Sequence, residues 1–328
     1  MMVPPRLFRK GRLRGELHLG GDWKVWKSDL TREAYDLICY GKGSAAMQIK
    51  RHLLTPSSDK PVLFVGPWLG EFGWELARWQ GGIRNVVMRT GVRDRYRVIV
   101  MGDPGHEVLY EYADEYWDMP PFFWCAQFER RCVSVYGEGG EEGADLLVIY
   151  LRALAFAVYK ALRGVGTVDR VLRARPYRDQ IEQLHIRLGQ EEERDGTFCL
   201  FPRTRQLNSH KNWPYENWQG LAWDLVKEYG LFPVVLLETT PLKESIQYLR
   251  RASFAVCPES GAIFLSLLTG TPTLAFGHER ERDRVTVNEN YLGTPVSYVS
   301  RQDYDHTVKE IFDGAARLKF LPHSRAAV

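Results

Sequence analysis

The chain has 328 residues, 45% of them hydrophobic and 26% charged, which suits a soluble globular protein and excludes a largely disordered one. Lys plus Arg number 44 and Asp plus Glu 41, so bulk charge does not indicate a strongly basic nucleic-acid binder. The 5 cysteines, Cys39, Cys125, Cys132, Cys199 and Cys257, are widely spaced and form no CxxC pair. That argues against a disulfide framework or a zinc site and favours a reducing, cytosolic setting. No stretch reaches the ~20 apolar residues that span a bilayer, and the N-terminus lacks the apolar run of a secretory signal.

In chain order, residues 1–58 read as a basic extension carrying Arg6, Arg9, Lys10, Arg12 and Arg14. A solvated tail is the plain reading of that cluster. Contact with an anionic membrane surface, at the inner face, or with nucleic acid is the alternative. Continuous apolar runs follow at Val62–Gly66, Tyr96–Gly102, Leu146–Tyr150, Thr197–Pro202, Pro233–Leu237, Phe254–Pro258 and Thr273–Gly277. Unbroken apolar strands suit parallel sheets buried on both faces. Helical spacing fills the gaps at Tyr215–Tyr229, Pro241–Ala252 and Gly261–Leu268, and an amphipathic helix over Asp303–Leu321 closes the chain. Arg170–Gly196 is the expected linker, with a helix near Asp179–Leu188.

The pattern predicts an α/β fold of two Rossmann-like, doubly wound domains facing a central cleft. The expected divisions are 59–180, 181–302 and a terminal helix within 303–328. Ligands of such sheets bind beyond the carboxyl ends of the strands, so the loops there are the candidate sites.

Three loops stand out. Gly66-Pro-Trp-Leu-Gly70-Glu71-Phe-Gly73-Trp74-Glu75 follows the first strand and opens a helix. Its glycines permit a sharp turn and close backbone approach. Glu71 is placed to take a proton from a hydroxyl, although Glu71 and Glu75 would equally favour the dipole of a first helical turn. Arg203-Thr204-Arg205 through Ser209-His210-Lys211 collects cations and hydroxyls after another strand, and suits a diphosphate as well as it suits a solvated polar loop. Glu259-Ser260-Gly261-Ala262 lies between a strand and a helix, where free amides hold a phosphate or a side chain caps the helix. An aromatic stretch over Tyr110–Phe128 offers either stacking surfaces for sugars or bases, or core packing.

These motifs, in this order, resemble the heptosyltransferase family of GT-B glycosyltransferases. Lys211-Asn-Trp213-Pro214 with Trp218 is similar to the family's K-x-W-P-x-x-x-W segment, and Glu259-Ser260-Gly261 with Gly270-Thr271-Pro272 and Phe276-Gly277 to its D-S/T-G … G-x-P … F/Y-G segment. Leu69-Gly70-Glu71 stands where the family has L-G-D, and Phe264 where it has His. The resemblance implies an inverting transfer of a sugar from a nucleotide-sugar to a glycan or other hydroxyl acceptor. It assigns the base to Glu71 and the acceptor or sugar loop to Gly70, Gly73, Trp74 and Glu75. Arg203, Thr204, Arg205, Ser209, Lys211, Glu259, Ser260, Gly261 and Ala262 fall to the diphosphate, and Glu238 to the nucleoside ribose. The only Asp-x-Asp triplet, Asp303-Tyr304-Asp305, reads as a helix cap, so no metal or other cofactor is expected. The alternatives are an epimerase or hydrolase on the same fold, or a binding module without catalysis. DNA is a further acceptor class that this reading takes in.

Overall fold

The computed structural model describes residues 60–66, 68, 72–89, 91–118, 168–172, 182–190, 192–204, 211–300 and 304–318, with 168–172 described by backbone alone. The basic extension and the Leu146–Tyr150 run lie outside the described residues. The chain divides into two compact units, one holding 1–71 and 86–180 and the other 72–85 and 181–328.

The first unit holds a parallel sheet of β1 (Val62–Val65), β2 (Arg97–Gly102), β3 (Glu115–Asp118) and β4 (Val168–Leu172), in the order β3-β2-β1-β4. Strand β1 is buried along its length because its four apolar residues have no polar face to expose. One expectation is corrected and one alternative is resolved. Strand β4 runs into the start of the stretch read as a linker; Val168, Val171 and Leu172 supply a short β-prone run that Asp169 and Arg170 interrupt in sequence. Of the aromatic stretch, Tyr110 and Tyr112 are buried, Tyr116 stacks on Tyr110 at 5.7 Å, and Trp117 meets Phe64 edge-on at 5.9 Å. This part is core packing; residues 119–128 lie outside the described residues.

The second unit holds β5 (Thr197–Leu200), β6 (Phe232–Val235), β7 (Phe254–Pro258), β8 (Thr273–Gly277) and β9 (Val296–Ser300), all parallel, in the order β6-β5-β7-β8-β9. Its core gathers Phe198, Trp213, Leu221, Phe254, Phe276 and Ile311. Strand β6 is not the buried central strand its apolar run suggested. It is the edge strand, with Phe232 70% exposed, and it tolerates Pro233 because an edge strand need not donate every ladder bond. The expected helix near 179–188 is absent over 182–188, where the backbone is irregular.

A continuous helix, α1, spans 72–89: Phe72–Trp74, a π-helical turn Glu75–Trp79, then Gln80–Arg89. Among the described residues the other helices of nine or more residues are α2 (Tyr215–Tyr229), α3 (Leu242–Arg251), α4 (Gly261–Thr269) and α5 (Tyr304–Arg317). Helix α2 lies inside its own caps: Pro214 precedes it and Gly230, with φ 66°, ends it. Trp218, Leu221 and Leu225 form its buried stripe.

Candidate functional site

The topology selects one place in each sheet. In the first unit the chain leaves β1 toward β2 on one side and returns to β4 on the other; in the second, β5 is flanked by β6 and β7 in the same way. Such switch points open a crevice at the carboxyl ends of the strands. The loop after β1 begins at Gly66, whose φ is 99° and where a Cβ would lie 2.4 Å from the Met101 carbonyl oxygen, so no other residue fits that turn. Gly70 and Glu71 lie outside the described residues.

The residues following that loop lie in the helix that the motif is read as opening, which is one of the two readings of Glu75. Gly73, Trp74 and Glu75 belong to α1 rather than to a loop, and Glu75 is buried. Gly73 packs backbone to backbone on Gly261 of α4, where a Cβ on Gly261 would stand 3.0 Å from the Gly73 nitrogen. The two glycines therefore permit the start of α1 to lie against the start of α4. The Trp74 ring carries the Arg284 guanidinium 4.3 Å from its centroid, and the Phe264 ring lies 4.9 Å from the same group. Phe264, which takes the place of a polar residue in the resembled motif, thus serves as a face for a cation.

Arg284 also donates to Glu281 and to Glu289, each at 2.8 Å. The second oxygen of Glu289 accepts from Arg78 of α1 at 2.8 Å, and the Glu289 side chain has no exposed surface. Burial alone would lower the Arg284 pKa, but the Glu289 and Glu281 carboxylates outweigh it and raise it. Sequence reasoning missed this cluster; only the i,i+3 spacing of Glu281 and Arg284 gave it a local signal.

At the switch point of the second sheet, the loop after β5 is fixed at both ends. The buried Arg203 donates to the side-chain oxygen of Asn212. Trp213 wedges into the core against Phe276, with centroids 4.9 Å apart, and against Trp218 at 5.5 Å. That anchor holds Lys211 beside the start of α4, where its ammonium pairs with the Glu259 carboxylate. Ser260 is the cap of α4, accepting from the Ala262 nitrogen at 3.3 Å, an interaction worth about 1 kcal/mol. Thr204 is exposed beside β5, and Glu238 is exposed in the turn beyond β6. Arg205 and Ser209 lie outside the described residues. The structure therefore brings together Lys211, Glu259, Ser260 and Gly261, with Arg203 supporting the loop, and leaves Glu238 on the neighbouring strand's turn.

A second buried network holds α1 within this unit. Arg84 donates to the Gln80 side-chain oxygen, so the Gln80 amide nitrogen faces His185 Nδ1, 2.7 Å away. His185 therefore accepts at Nδ1 and carries its proton on Nε2. Its ring stacks on Tyr291 at 4.2 Å. Burial, then the positive Arg84 and Arg78, pushes the His185 pKa down to about 3. A folded-state pKa below the unfolded value makes this group destabilising in acid: its contribution is complete above pH ~6.5 and is lost as pH falls below it. Stability is expected to drop by about 1.4 kcal/mol between neutrality and pH 5.5 from this group alone. His185→Phe should flatten that slope in urea titrations run at several pH values. An unchanged slope would mean that other groups set the acid limit.

No protein-family model and no curated protein matches this chain. Solved structures do. The chain is similar to the iron-containing dodecameric glycosyltransferase TibC of enterotoxigenic E. coli H10407, at 15% identity and a TM-score of 0.37, over 67% of this chain and 58% of that one. The chain thus spans less than two thirds of that protein's length. It is also similar to the E. coli ADP-heptose lps heptosyltransferase II, at 12% identity and a TM-score of 0.45, over 79% of this chain and 98% of that one. A third is the family 9 glycosyl transferase of Veillonella parvula DSM 2008, at 12% identity and a TM-score of 0.38, over 79% and 97%.

Among the described residues no group of three or more His, Cys, Asp or Glu is placed to hold a metal ion. The expectation that no metal takes part is nevertheless corrected, because TibC is described as iron-containing; freedom from metal is withdrawn. Among the described residues no helix is long and apolar enough to cross a membrane. The fold is α/β with two parallel sheets, and the solved structures to which the chain is similar include heptosyltransferases, the family that its motifs resemble.

Proposed function

We propose that this chain is an inverting glycosyltransferase that moves a sugar from a nucleotide-sugar donor to a hydroxyl acceptor. The observation that carries the reading is the meeting of Lys211 with the Glu259-Ser260-Gly261 start of α4 at the switch point of the second sheet. An ammonium and the amino end of a helix converge there, where a leaving diphosphate needs positive charge. In this reading the acceptor oxygen attacks the anomeric carbon and forms the new C–O bond. The bond from that carbon to the diphosphate oxygen breaks, and the nucleoside diphosphate leaves with the electron pair. The acceptor proton passes to the Glu71 carboxylate. Lys211 and the first amides of α4 stabilise the growing negative charge, and Arg203 keeps the loop in place through Asn212.

The donor side is testable by binding alone. Lys211→Ala should weaken nucleoside diphosphate binding by about 1.5–3 kcal/mol, the value of a hydrogen bond to a charged group. Calorimetry with ADP, UDP, GDP and CDP measures it. Affinity equal to that of the wild type would remove Lys211 from the site and with it the main support for the donor reading. Product analysis with the donor that binds then separates transfer from hydrolysis or epimerisation. The acceptor proposed is a glycan or another hydroxyl compound, and a purified acceptor panel scored by diphosphate release identifies it.

A further inference from the structure

The Glu259 carboxylate occupies an unusual set of donors. One oxygen pairs with the Lys211 ammonium, and the other accepts from the His278 backbone nitrogen at 3.1 Å. The side chain is only 12% exposed, and the Lys211 side chain only 22%. His278 is also held on its other side, at the following peptide, where the Tyr298 hydroxyl donates to the His278 carbonyl at 2.8 Å. The preceding residue leaves room for the carboxylate: a Cβ on Gly277 would come within 2.6 Å of Glu259 Cβ and 3.0 Å of its second oxygen. An anion held by one ammonium and one backbone N–H, beside a helix start, is held the way a phosphoryl oxygen is held.

Charge decides what this means for a ligand. Burial would raise the Glu259 pKa, but the Lys211 hydrogen bond and the His278 N–H more than offset it and hold it below the ordinary carboxylate range. The group is therefore ionised at neutral pH. A diphosphate brought to Lys211 would face that carboxylate at close range, and like charges in a partly buried site repel strongly. Lys211 cannot serve both anions at full strength in one geometry.

We propose that Glu259 is an internal anion that holds the place of the donor phosphate, so that the donor binds by drawing Lys211 away from it. The inference rests on the reading of this loop as a diphosphate site, and it changes the role of Glu259 within that site. Glu259 competes with the diphosphate instead of binding it. The exchange also runs in reverse: once transfer is complete, the carboxylate recaptures Lys211 and favours release of the nucleoside diphosphate.

The test is a binding cycle on the full chain. Glu259→Gln keeps the shape and an acceptor oxygen for the His278 N–H, and removes the charge. With the nucleoside diphosphate that the wild type binds, and with inorganic pyrophosphate, E259Q should bind about tenfold more tightly or better. The gain should vanish when Lys211 is already alanine, because the competition is for that ammonium. Equal or weaker binding by E259Q would overturn the proposal and make Glu259 a residue that positions Lys211. A gain that persists undiminished in K211A would also overturn it, since relief of general repulsion does not need the lysine. If neither wild type nor E259Q binds any of these probes while both unfold at the same temperature, the diphosphate reading itself fails.

Discussion

Glu71→Gln is expected to cut sugar transfer by about 10²–10⁴-fold, the usual contribution of a general base. Donor affinity should stay at the wild-type value. The amide has nearly the shape of the carboxylate but cannot take a proton, so the substitution separates basicity from packing. The expectation rests on position in the chain. In the chain Glu71 comes after the Gly66 turn that ends β1 and immediately before α1. Glu71→Asp should retain part of the activity, because the resembled family uses the shorter acid there. Single-turnover rates with the identified donor, paired with calorimetry of nucleoside diphosphate binding, give both numbers. Transfer at the wild-type rate would move the base elsewhere. Glu75 is then a poor substitute, since it is buried within α1. Loss of the folded state in E71Q would assign this carboxylate to structure.

Much of the scaffold was legible because apolar runs and helix punctuation are local signals. Tyr215–Tyr229, Phe254–Pro258 and Thr273–Gly277 have in the structure the bounds that the pattern gives. Strands β3, β4 and β9 were not legible. Glu115–Asp118 and Val168–Leu172 place charges within four or five residues, and Val296–Ser300 is broken by Ser297 and ends on Ser300, so none presents a continuous apolar run. The site divides along the same line. The pairing of loop and helix start around Lys211 and Ser260 follows from where strands end, which sequence reveals. The partners of Glu259 do not: Lys211 lies 48 positions away and His278 only enters through its backbone. Arg78 and Glu289 are separated by 211 positions, and no periodicity connects them. Long-range ion pairs depend on the packing of α1 against α4, which two small residues, Gly73 and Gly261, allow and do not announce.

Removing Glu289 should cost about 3 kcal/mol of stability, the lower part of the range for breaking a buried ion pair. Its carboxylate has no exposed surface and takes one guanidinium on each oxygen. Glu289→Ala would leave Arg284 with Glu281 and with the faces of Trp74 and Phe264, while Arg78, whose side chain is 41% exposed, regains water. That partial rehydration is why the lower end of the range applies. For a unit of this size a loss of about 3 kcal/mol corresponds to a fall in Tm of roughly 6–12 °C. Glu289→Gln keeps the shape and loses the charge, so it should fall between the wild type and alanine. Calorimetric scans of the three proteins provide the comparison. A Tm for Glu289→Ala indistinguishable from the wild type would show that the cation contacts on Trp74 and Phe264 hold the start of α1 without the carboxylate. A fall in the expected range would establish that Glu289 fastens the helix directly following Glu71 to the unit that contains Lys211.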